Sequence, residues 1–463
     1  MTEQLKLKLN DSKATRWGAL VIVAFTMMAA YYVNDVVAPL KTMLESDLAW
    51  TSSDFGFFTG GYSFLNVFFL MLIWGGLILD RFGIRFTGKL STILMVGGTA
   101  LEYYAMTGLA GPDAQIFGLN EIFGYKAGVF VAFAGYSIFG VGAEVAGITV
   151  SKIIAKWFRG KELATAMGVQ VALARIGSQA GYAVAIPLAR AFGITTPVLV
   201  GLILLLGGLV AFFIFSVMDK KLDKQMEAAA IAAGTEDEEE KFSFKDVKNI
   251  LVNPGFWLIA LLCVLFYSCV FPFQKFASEL MIIKYGINEN VAGTFAGLPA
   301  LGALILTPVF GGFIDKRGKS ASIMLLGSAM LICVHFIYAI PDINYWLVAI
   351  VLMIILGIAF SLVPSAMWPA VAKIFPVSQL GTAYALIFFI QNIGLWGIPT
   401  LIGWVLDAYC ISGKKPDGTN MYDYTVPMCI FTGIACLSLI VALLLKKADK
   451  KYGYKLEEPN IQK

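Results

Sequence analysis

The stretch GGLILDRFGIR, residues 75–85, ends a long apolar segment with an aspartate and two arginines in close succession. A shortened copy, GGFIDKRGK, occupies residues 311–319 at the end of another apolar segment, and Asp315 lies 235 positions after Asp80. Two such loops, each placed where an apolar segment meets a polar one, indicate that the chain repeats one structural unit.

A second pair of matching segments supports the repeat. KWFRGKELATAMG at residues 156–168 matches KIFPVSQLGTAYA at residues 373–385. The pairs that are identical at one spacing of 217 residues include Phe158 and Phe375, Leu163 and Leu380, Thr165 and Thr382, Ala166 and Ala383, Ile176 and Ile393, and Gly177 and Gly394. A parallel repeat of two membrane-embedded units places a binding cavity at their interface, near the middle of the bilayer.

The composition predicts a helical membrane protein. Hydrophobic residues make up 58% of the 463 residues, charged residues make up 14%, and the mean hydropathy is +0.77, whereas soluble domains are about a quarter charged. Each of about twelve apolar stretches is long enough to cross the roughly 30 Å of hydrocarbon as a helix. The predicted spans are residues 17–39, 55–79, 88–109, 127–151, 163–189, 195–218, 254–273, 291–313, 321–340, 345–368, 381–406 and 426–445.

The positions of the charges predict the orientation and the division of the chain. Most of the 35 Lys and Arg residues fall in the termini and in the loops after even-numbered spans, so the positive-inside rule predicts that both termini are cytoplasmic. The longest charged segment, residues 219–248, is predicted to be a solvated cytoplasmic linker with an acidic run at 236–240. It separates an N-terminal bundle, residues 1–218, from a C-terminal bundle, residues 249–463.

These loops and spans resemble the major facilitator superfamily over the whole chain. Within it, the segments at 156–178 and 315–319, together with VFPF at 270–273, MWPAVAKIFP at 367–376 and QLGTAYALIFFIQNIGL at 379–395, are similar to the branch that includes lysosomal dipeptide uniporters. The resemblance implies an all-α membrane protein with the major facilitator superfamily fold. Twelve transmembrane helices would form two pseudo-symmetric six-helix bundles that work by alternating access.

Arg175 is the one basic residue that the predicted spans do not place near a water-facing end. A charge at mid-bilayer costs at least about 3 kcal/mol, so something inside the protein must need it. Glu144, in the preceding span, is predicted at the same depth, roughly 12–18 Å from the cytoplasmic face. The two could form a buried ion pair that cross-links two helices, or they could be separate poles of a binding site. We favour separate poles, because an apolar pair would stabilise the bundle equally well.

The chemistry of the two side chains predicts a zwitterionic substrate. A guanidinium binds a carboxylate through two parallel hydrogen bonds, and a glutamate carboxylate binds an ammonium. The resembled branch has Glu and Arg at the positions that match Glu144 and Arg175. The resemblance therefore implies a dipeptide, with Arg175 on its C-terminal carboxylate and Glu144 on its N-terminal amine.

Neutral polar and aromatic residues of other spans are further candidates for substrate binding. These are Tyr62, Asn66, Tyr267, Trp368, Gln391 and Asn392. Asn392 is the repeat equivalent of Arg175 and follows Gln391, so the two amides could hold a peptide backbone or could bond neighbouring helices. Tyr62 and Asn66 share one helix face and could reach the cavity. The two aromatic residues of the second half could line side-chain pockets or simply pack.

Five charged residues are candidates for coupling and gating. Asp35 is expected at the outer membrane interface rather than buried, and Glu102 lies within the third span, where it could take a proton or pair at a helix interface. Asp80, Arg85 and Asp315 lie in the repeated loops and could simply set topology. The resemblance implies instead that they are gating residues, with a carboxylate held against a helix N-terminus in the outward-open state.

Two pairs of glycines predict close helix contacts. Gly56 and Gly60 in the second span, and Gly293 and Gly297 in the eighth, have the small-xxx-small spacing that lets helix backbones approach each other. Bundles that rock against each other need such surfaces.

The predicted function is secondary active or facilitative transport of dipeptides, as a uniporter or with protons. The alternative is a proton-coupled transporter of a small organic anion or amino acid, and a signalling sensor or scramblase on the same fold is a more distant rival. No phosphate-binding G-x-x-x-x-G-K-[ST] motif occurs. We therefore predict neither an enzyme nor a cofactor, metal or nucleic-acid binder.

The expected partners are a small-molecule substrate and membrane lipid, with the protein as a monomer. No predicted outer loop carries an N-x-S/T sequence, and the N-terminus has no acidic dileucine. These observations favour a bacterial cytoplasmic membrane over a lysosomal one as the location of this integral, multi-pass protein.

Overall fold

The computed structural model describes residues 8–111, 114–158, 161–233 and 244–459, and nearly all of its regular structure is helical. The helices are α1 (Lys13–Val36), α2 (Lys41–Leu48), α3 (Ser52–Phe68), α4 (Met71–Gly108), α5 (Ala127–Trp157), α6 (Leu163–Phe192), α7 (Thr196–Ala233), α8 (Phe244–Val252), α9 (Pro254–Tyr285), α10 (Glu289–Ala296), α11 (Leu298–Arg317), α12 (Ser320–Ala339), α13 (Trp346–Ile374), α14 (Val377–Tyr409) and α15 (Thr425–Tyr452). Two short antiparallel hairpins pair β1 (Glu121–Ile122) with β2 (Tyr125–Lys126) and β3 (Ile411–Lys414) with β4 (Asn420–Tyr422).

Within the described residues, nine helices are long and apolar enough to cross a membrane, or ten if one bent pair counts as a span. The bent pair is α3 and α4, which meet at an angle of 59° beside Leu70, whose φ is +54°. Gly83, with φ +74°, also divides α4 into two helices, so α4 covers the end of the second predicted span and all of the third. α6, which carries Arg175, is not among the nine. Helices therefore cover all twelve predicted spans.

Two equivalent glycines show the internal symmetry directly. A Cβ on Gly177 of α6 would lie 2.1 Å from the carbonyl oxygen of Met28 in α1. A Cβ on Gly394 of α14, which lies 217 residues later, would lie 2.2 Å from Oγ of Ser268 in α9. The same repeat position therefore packs α6 against α1 in the first half and α14 against α9 in the second, as the sequence repeat predicts.

The helix α9 extends well beyond its predicted span, which ends at residue 273. It begins at a cap where the Asn253 side chain accepts a hydrogen bond from the Gly255 amide at 2.8 Å, with a proline in the first turn. It ends at Gly286, whose φ of +60° suits a glycine C-cap. The extra turns carry Lys275 into the protein, so the prediction that this span ends at residue 273, before Lys275, is wrong.

We call the end of the bundle where α1 begins and α15 ends the terminal face, and the opposite end the distal face. On the terminal face, Arg16 of α1 donates to Glu162 from two of its guanidinium nitrogens, from Nη2 at 2.9 Å and from Nε at 3.1 Å. Asp219 of α7 is fully buried there and accepts hydrogen bonds from Lys156 at 2.7 Å and from the Trp157 indole at 3.0 Å. The helix α7, which corresponds to the sixth predicted span, therefore continues past the predicted end at residue 218. Residues 234–243 of the predicted linker, including the acidic run at 236–240, lie outside the described residues.

The predicted glycine pairs bring the two halves into contact. A Cβ on Gly56 of α3 would lie 2.4 Å from the Pro399 carbonyl oxygen of α14, and one on Gly60 would lie 2.7 Å from atoms of the same helix. On the other side, a Cβ on Gly293 of α10 would lie 2.3 Å from the Tyr182 carbonyl oxygen of α6. The prediction of close small-residue packing is confirmed, and both contacts join one half to the other.

Candidate functional site

A cavity of about 610 Å³ lies between the two halves. Residues of α1, α3, α4, α5 and α6 line one side of it, and residues of α9, α13 and α14 line the other. Towards the terminal face, the lining residues Ser151 and Val171 are exposed. Towards the distal face, the lining passes into buried side chains that join the halves, so the cavity reaches towards the terminal face.

Arg175 and Glu144 both line this cavity, from α6 and α5. The Arg175 guanidinium lies 4.8 Å from the Phe360 ring centre and 5.6 Å from that of Tyr31. Glu144 accepts a hydrogen bond from the Tyr62 hydroxyl at 2.9 Å. Among the described residues no carboxylate lies within ion-pair distance of Arg175. The two charges therefore share the cavity as separate groups, and they do not form the cross-linking ion pair.

The second half contributes an aromatic wall. Tyr267 and Phe271 of α9 stack with ring centres 5.5 Å apart, and Trp368 of α13 stacks on Phe388 of α14 at 4.7 Å. The Trp368 indole donates a hydrogen bond to the Tyr267 hydroxyl at 3.3 Å. Gln391 also faces the cavity. Near the middle of the cavity, the charged groups Glu144 and Arg175 therefore come from the first half. The second half contributes aromatic rings and the amide of Gln391.

A charged cluster lies at the distal end of the cavity. The Lys275 ammonium donates to Asp35 Oδ1 at 3.1 Å, to the Asn34 carbonyl oxygen at 2.6 Å, and at 3.5 Å to the Tyr136 hydroxyl. Asp35 is only 7% exposed, and the hydroxyl of Ser178 donates to its other oxygen. The expectation that Asp35 is interfacial is therefore wrong, because its helix carries it inward against α6 and α9.

Three candidates lie away from the cavity. Asn66 and Asn392 are each 2% exposed and are not among the lining residues. The Asn392 amide donates to the carbonyl oxygen of Phe388 on its own helix at 2.9 Å. Glu102 is fully buried in α4, and neither of its carboxyl oxygens has a hydrogen-bond partner in the described part of the chain. These side chains point into helix contacts rather than towards a substrate.

The three candidate gating residues lie on the terminal face. Asp80 pairs with Lys152 at 3.0 Å, and Arg85 pairs with Asp223 at 3.1 Å. Neither contact reaches the second half, since Asp223 lies in α7, which continues from the first half. Asp315 lies near the end of α11 in the second half.

The distal face is closed by a buried ionic network that the sequence analysis missed. Lys41 lies 2.5 Å from both Glu45 in its own helix and Glu279 in α9. Lys415 lies 3.5 Å from Glu45 and 3.6 Å from Glu279. We call these four residues the distal network. Lys41 and Lys415 lie outside the predicted spans, although the four-residue spacing of Lys41 and Glu45 is typical of an ion pair on one helix face.

A tyrosine completes the distal network. The Tyr424 hydroxyl donates to Glu279. Burial raises the pKa of the Tyr424 phenol, and the neighbouring Glu279 carboxylate raises it further. The hydroxyl therefore stays protonated and keeps donating. Because Lys41 and Glu45 belong to the first half and the other members to the second, the network holds the halves together at this face.

The sequence profile of the Major Facilitator Superfamily matches residues 20–399 of the chain, with a second match at residues 276–458. The chain is 28% identical to the lysosomal dipeptide transporter MFSD1 of Homo sapiens, over 95% of this chain and 88% of that protein. It is 26% identical to the Danio rerio protein of the same name, over 93% and 86%.

Two solved structures share the architecture. A point mutant of the nucleoside transporter NupG superposes with a TM-score of 0.68 at 12% identity, over 92% of this chain and 98% of that one. A bacterial homologue of the human lysosomal transporter Spinster, in an inward-facing, unoccupied conformation, gives a TM-score of 0.65 at 14% identity, over 98% and 99%. At these identities the likeness concerns the fold alone.

Proposed function

The chain belongs to the major facilitator superfamily and is a multi-pass membrane transporter, and on that premise we propose that it carries dipeptides by alternating access. The observation that carries the proposal is the pair of opposite charges, Glu144 and Arg175, which face one cavity without binding each other. The names of the curated relatives support the same substrate class.

The size of the site supports a peptide of two residues. A cavity of about 610 Å³ lies in the range of roughly 300–1,000 Å³ that is usual for small-molecule sites. An extended chain spans about 3.3–3.6 Å per residue, so a dipeptide separates its ammonium and carboxylate, whereas a free amino acid holds them on one carbon. Glu144 and Arg175, on neighbouring helices and not in contact, suit the separated charges. The aromatic wall would receive the side chains.

The distribution of basic residues and the distal network together support an inward-facing state. By the positive-inside rule, the terminal face is cytoplasmic. The distal network and the glycine contacts then close the outer side, and the cavity is reached from the cytoplasm. The bacterial cytoplasmic membrane stays our prediction for the location, although the relatives named above are called lysosomal.

A proton-coupled carrier of a small anion or amino acid is the second candidate, and Glu102 favours it. This carboxyl is buried without a partner among the described residues, and carboxyl groups within membrane spans often belong to proton relays. Saturable uptake of dialanine at equal pH on both sides, insensitive to a proton ionophore, would support the uniporter and count against this candidate.

The proposed function is tested by the thermal unfolding of the purified protein with dialanine, N-acetyl-dialanine and dialanine amide. Dialanine is expected to raise the unfolding temperature, because a ligand at 100 times its Kd stabilises the folded state by about 2.7 kcal/mol. Each blocked form lacks one charge and should give little shift at the same concentration. Equal stabilisation by all three compounds would contradict the two-pole site.

Replacing Gly56 by valine is expected to open the distal face. Its side chain would collide with Pro399 and with Gly403, whose Cα lies 3.0 Å from the Cβ position, so the inward-facing packing of α3 on α14 is lost. Spin labels at the exposed residues Asp47 and Asp417, one in each half, should move apart. The matched control is Gly433→Val, since nothing lies within 4 Å of a Cβ there. Unchanged label distances in Gly56→Val would refute this role.

A further inference from the structure

We propose that a substrate carboxylate competes with Asp35 for Lys275, so that loading the cavity loosens the contact that closes its distal end. Lys275 would then be a specificity-determining residue that also links binding to the conformational change. The inference rests on the proposed function, since it needs a substrate with a carboxylate.

The contacts of Lys275 place it in the right position. Its side chain is 11% exposed and lines the cavity, so a substrate can touch it. Its ammonium has three hydrogen atoms to donate, and the three acceptors are the Asn34 carbonyl oxygen, Asp35 and the Tyr136 hydroxyl. All three belong to the first half, whereas Lys275 belongs to the second. The ammonium therefore ties the halves together.

Asp35 keeps a hydrogen-bond donor on each of its oxygens when it loses Lys275. Its Oδ2 atom accepts from the Ser178 hydroxyl, and its Oδ1 atom also accepts from the Asn34 side-chain amide at 2.9 Å. Lys275 is in a different position, because an ammonium that leaves these acceptors inside the protein must find another anion or water. A substrate carboxylate supplies that anion.

Along α6 and α1, about one helical turn separates Arg175 from the residues that contact Asp35 and Lys275. Arg175 and Ser178 are three residues apart on α6, and Ser178 reaches Asp35. On α1, Tyr31 lies against Arg175 and precedes Asn34 by three residues. Three residues of helix rise about 4.5 Å, so the two cations, which both line the cavity, differ in depth by about that amount. The proposal requires one substrate carboxylate to bridge this difference.

If Asp35 and the substrate compete for Lys275, replacing Asp35 and replacing Lys275 should have opposite effects on the affinity for dialanine. Asp35→Asn removes the internal competitor, so dialanine should bind about tenfold more tightly, the scale of one hydrogen bond to a charged group. Lys275→Gln removes the cation, so dialanine should bind about tenfold more weakly. If the pair only held the helices together, both variants would change the affinity in the same direction.

The test is calorimetric titration of the wild type and both variants with dialanine and with dialanine amide. The amide should show little of the Asp35→Asn gain, because it has no carboxylate to offer. Lys275→Arg, which keeps the charge, should bind much more tightly than Lys275→Gln. The double variant Asp35→Asn/Lys275→Gln replaces the ion pair by a neutral pair of similar shape, so it can be used if one single variant folds poorly. It should bind dialanine as weakly as Lys275→Gln.

Two outcomes overturn the inference in distinguishable ways. If the wild type binds dialanine but Asp35→Asn and Lys275→Gln shift its Kd in the same direction, or not at all, the competition is refuted and the proposed function stands. If the wild type does not bind dialanine, the proposed function fails and the inference fails with it.

Discussion

Replacing Arg175 by glutamine is expected to weaken dialanine binding by roughly 30- to several-thousand-fold. Removing one partner of a buried, hydrogen-bonded charge pair costs about 2–5 kcal/mol, and each 1.4 kcal/mol is tenfold in Kd. In the two-pole site this partner is the substrate carboxylate, which no neutral amide can hold as firmly. Calorimetric titration of the purified variant measures the loss.

The structure also indicates that Arg175→Gln should fold. The guanidinium contacts the rings of Tyr31 and Phe360 rather than a carboxylate, and Glu144 keeps its bond from Tyr62. The variant therefore leaves no buried ion without its partner. Arg175→Lys is the matched control and should retain part of the affinity, since it keeps the charge but not the fork-shaped donor. Binding of dialanine by a folded Arg175→Gln at the affinity of the wild type would refute the assigned role.

Replacing Glu279 by glutamine is expected to shift the protein away from the distally closed state. Glu279 provides the carboxylate of the second half for both Lys41 and Lys415, and Lys41 is only 1% exposed. Breaking a buried pair costs about 3–5 kcal/mol, which changes the ratio of two states by roughly 100-fold or more. Spin labels at Asp47 and Asp417 should show a larger population at long distance.

An exposed ion pair between the halves provides the control for Glu279→Gln. Arg190 of α6 pairs with Glu289 of α10, but their side chains are 45% and 43% exposed. Exposed pairs contribute at most about 1 kcal/mol, so Glu289→Gln should leave the label distances nearly unchanged. If the two variants give the same distance distribution, burial of the distal network does not hold this face closed.

The sequence repeat and the depth of each residue predicted much of the cavity lining. Arg175, Glu144 and Tyr62 line it from the first half, and Gln391 and Trp368 line it from the second. Depth could be predicted because short loops fix where each helix starts, and a helix rises 1.5 Å per residue. The repeat then indicated which residues of the second half lie at the same depth as those of the first.

The rotation of each helix could not be predicted in the same way. Asn392 and Gln391 are adjacent, yet only Gln391 faces the cavity. Neighbouring residues on a helix point about 100° apart, and an apolar span does not reveal which side faces protein. Asn66 is a different case, because it shares a helix face with Tyr62, which lines the cavity, and yet it is buried away from it.

The burial of the charged residues near the distal face was not predicted. Hydropathy shows where an apolar segment ends, and a helix can continue beyond that point. Lys275 follows the last residue of the predicted span 254–273 by two positions and therefore fell outside it, although the helix continues to Tyr285. Lys41 and Glu279 are buried together because they pair across the two halves, and each has a further counter-ion in its own half. Such pairing depends on three-dimensional contacts that the amino-acid sequence alone does not show.

The central claim, that Glu144 and Arg175 bind opposite ends of one dipeptide, is tested most directly by a crossed titration. Glu144→Gln and Arg175→Gln are each titrated with dialanine, N-acetyl-dialanine and dialanine amide. We predict that Glu144→Gln no longer distinguishes dialanine from the acetylated form but still rejects the amide. Arg175→Gln should lose most of its preference for dialanine over the amide, keeping only the part that Lys275 contributes, and should still reject the acetylated form. If both variants lose the same discrimination, or neither loses any, the two residues do not bind opposite ends of the substrate.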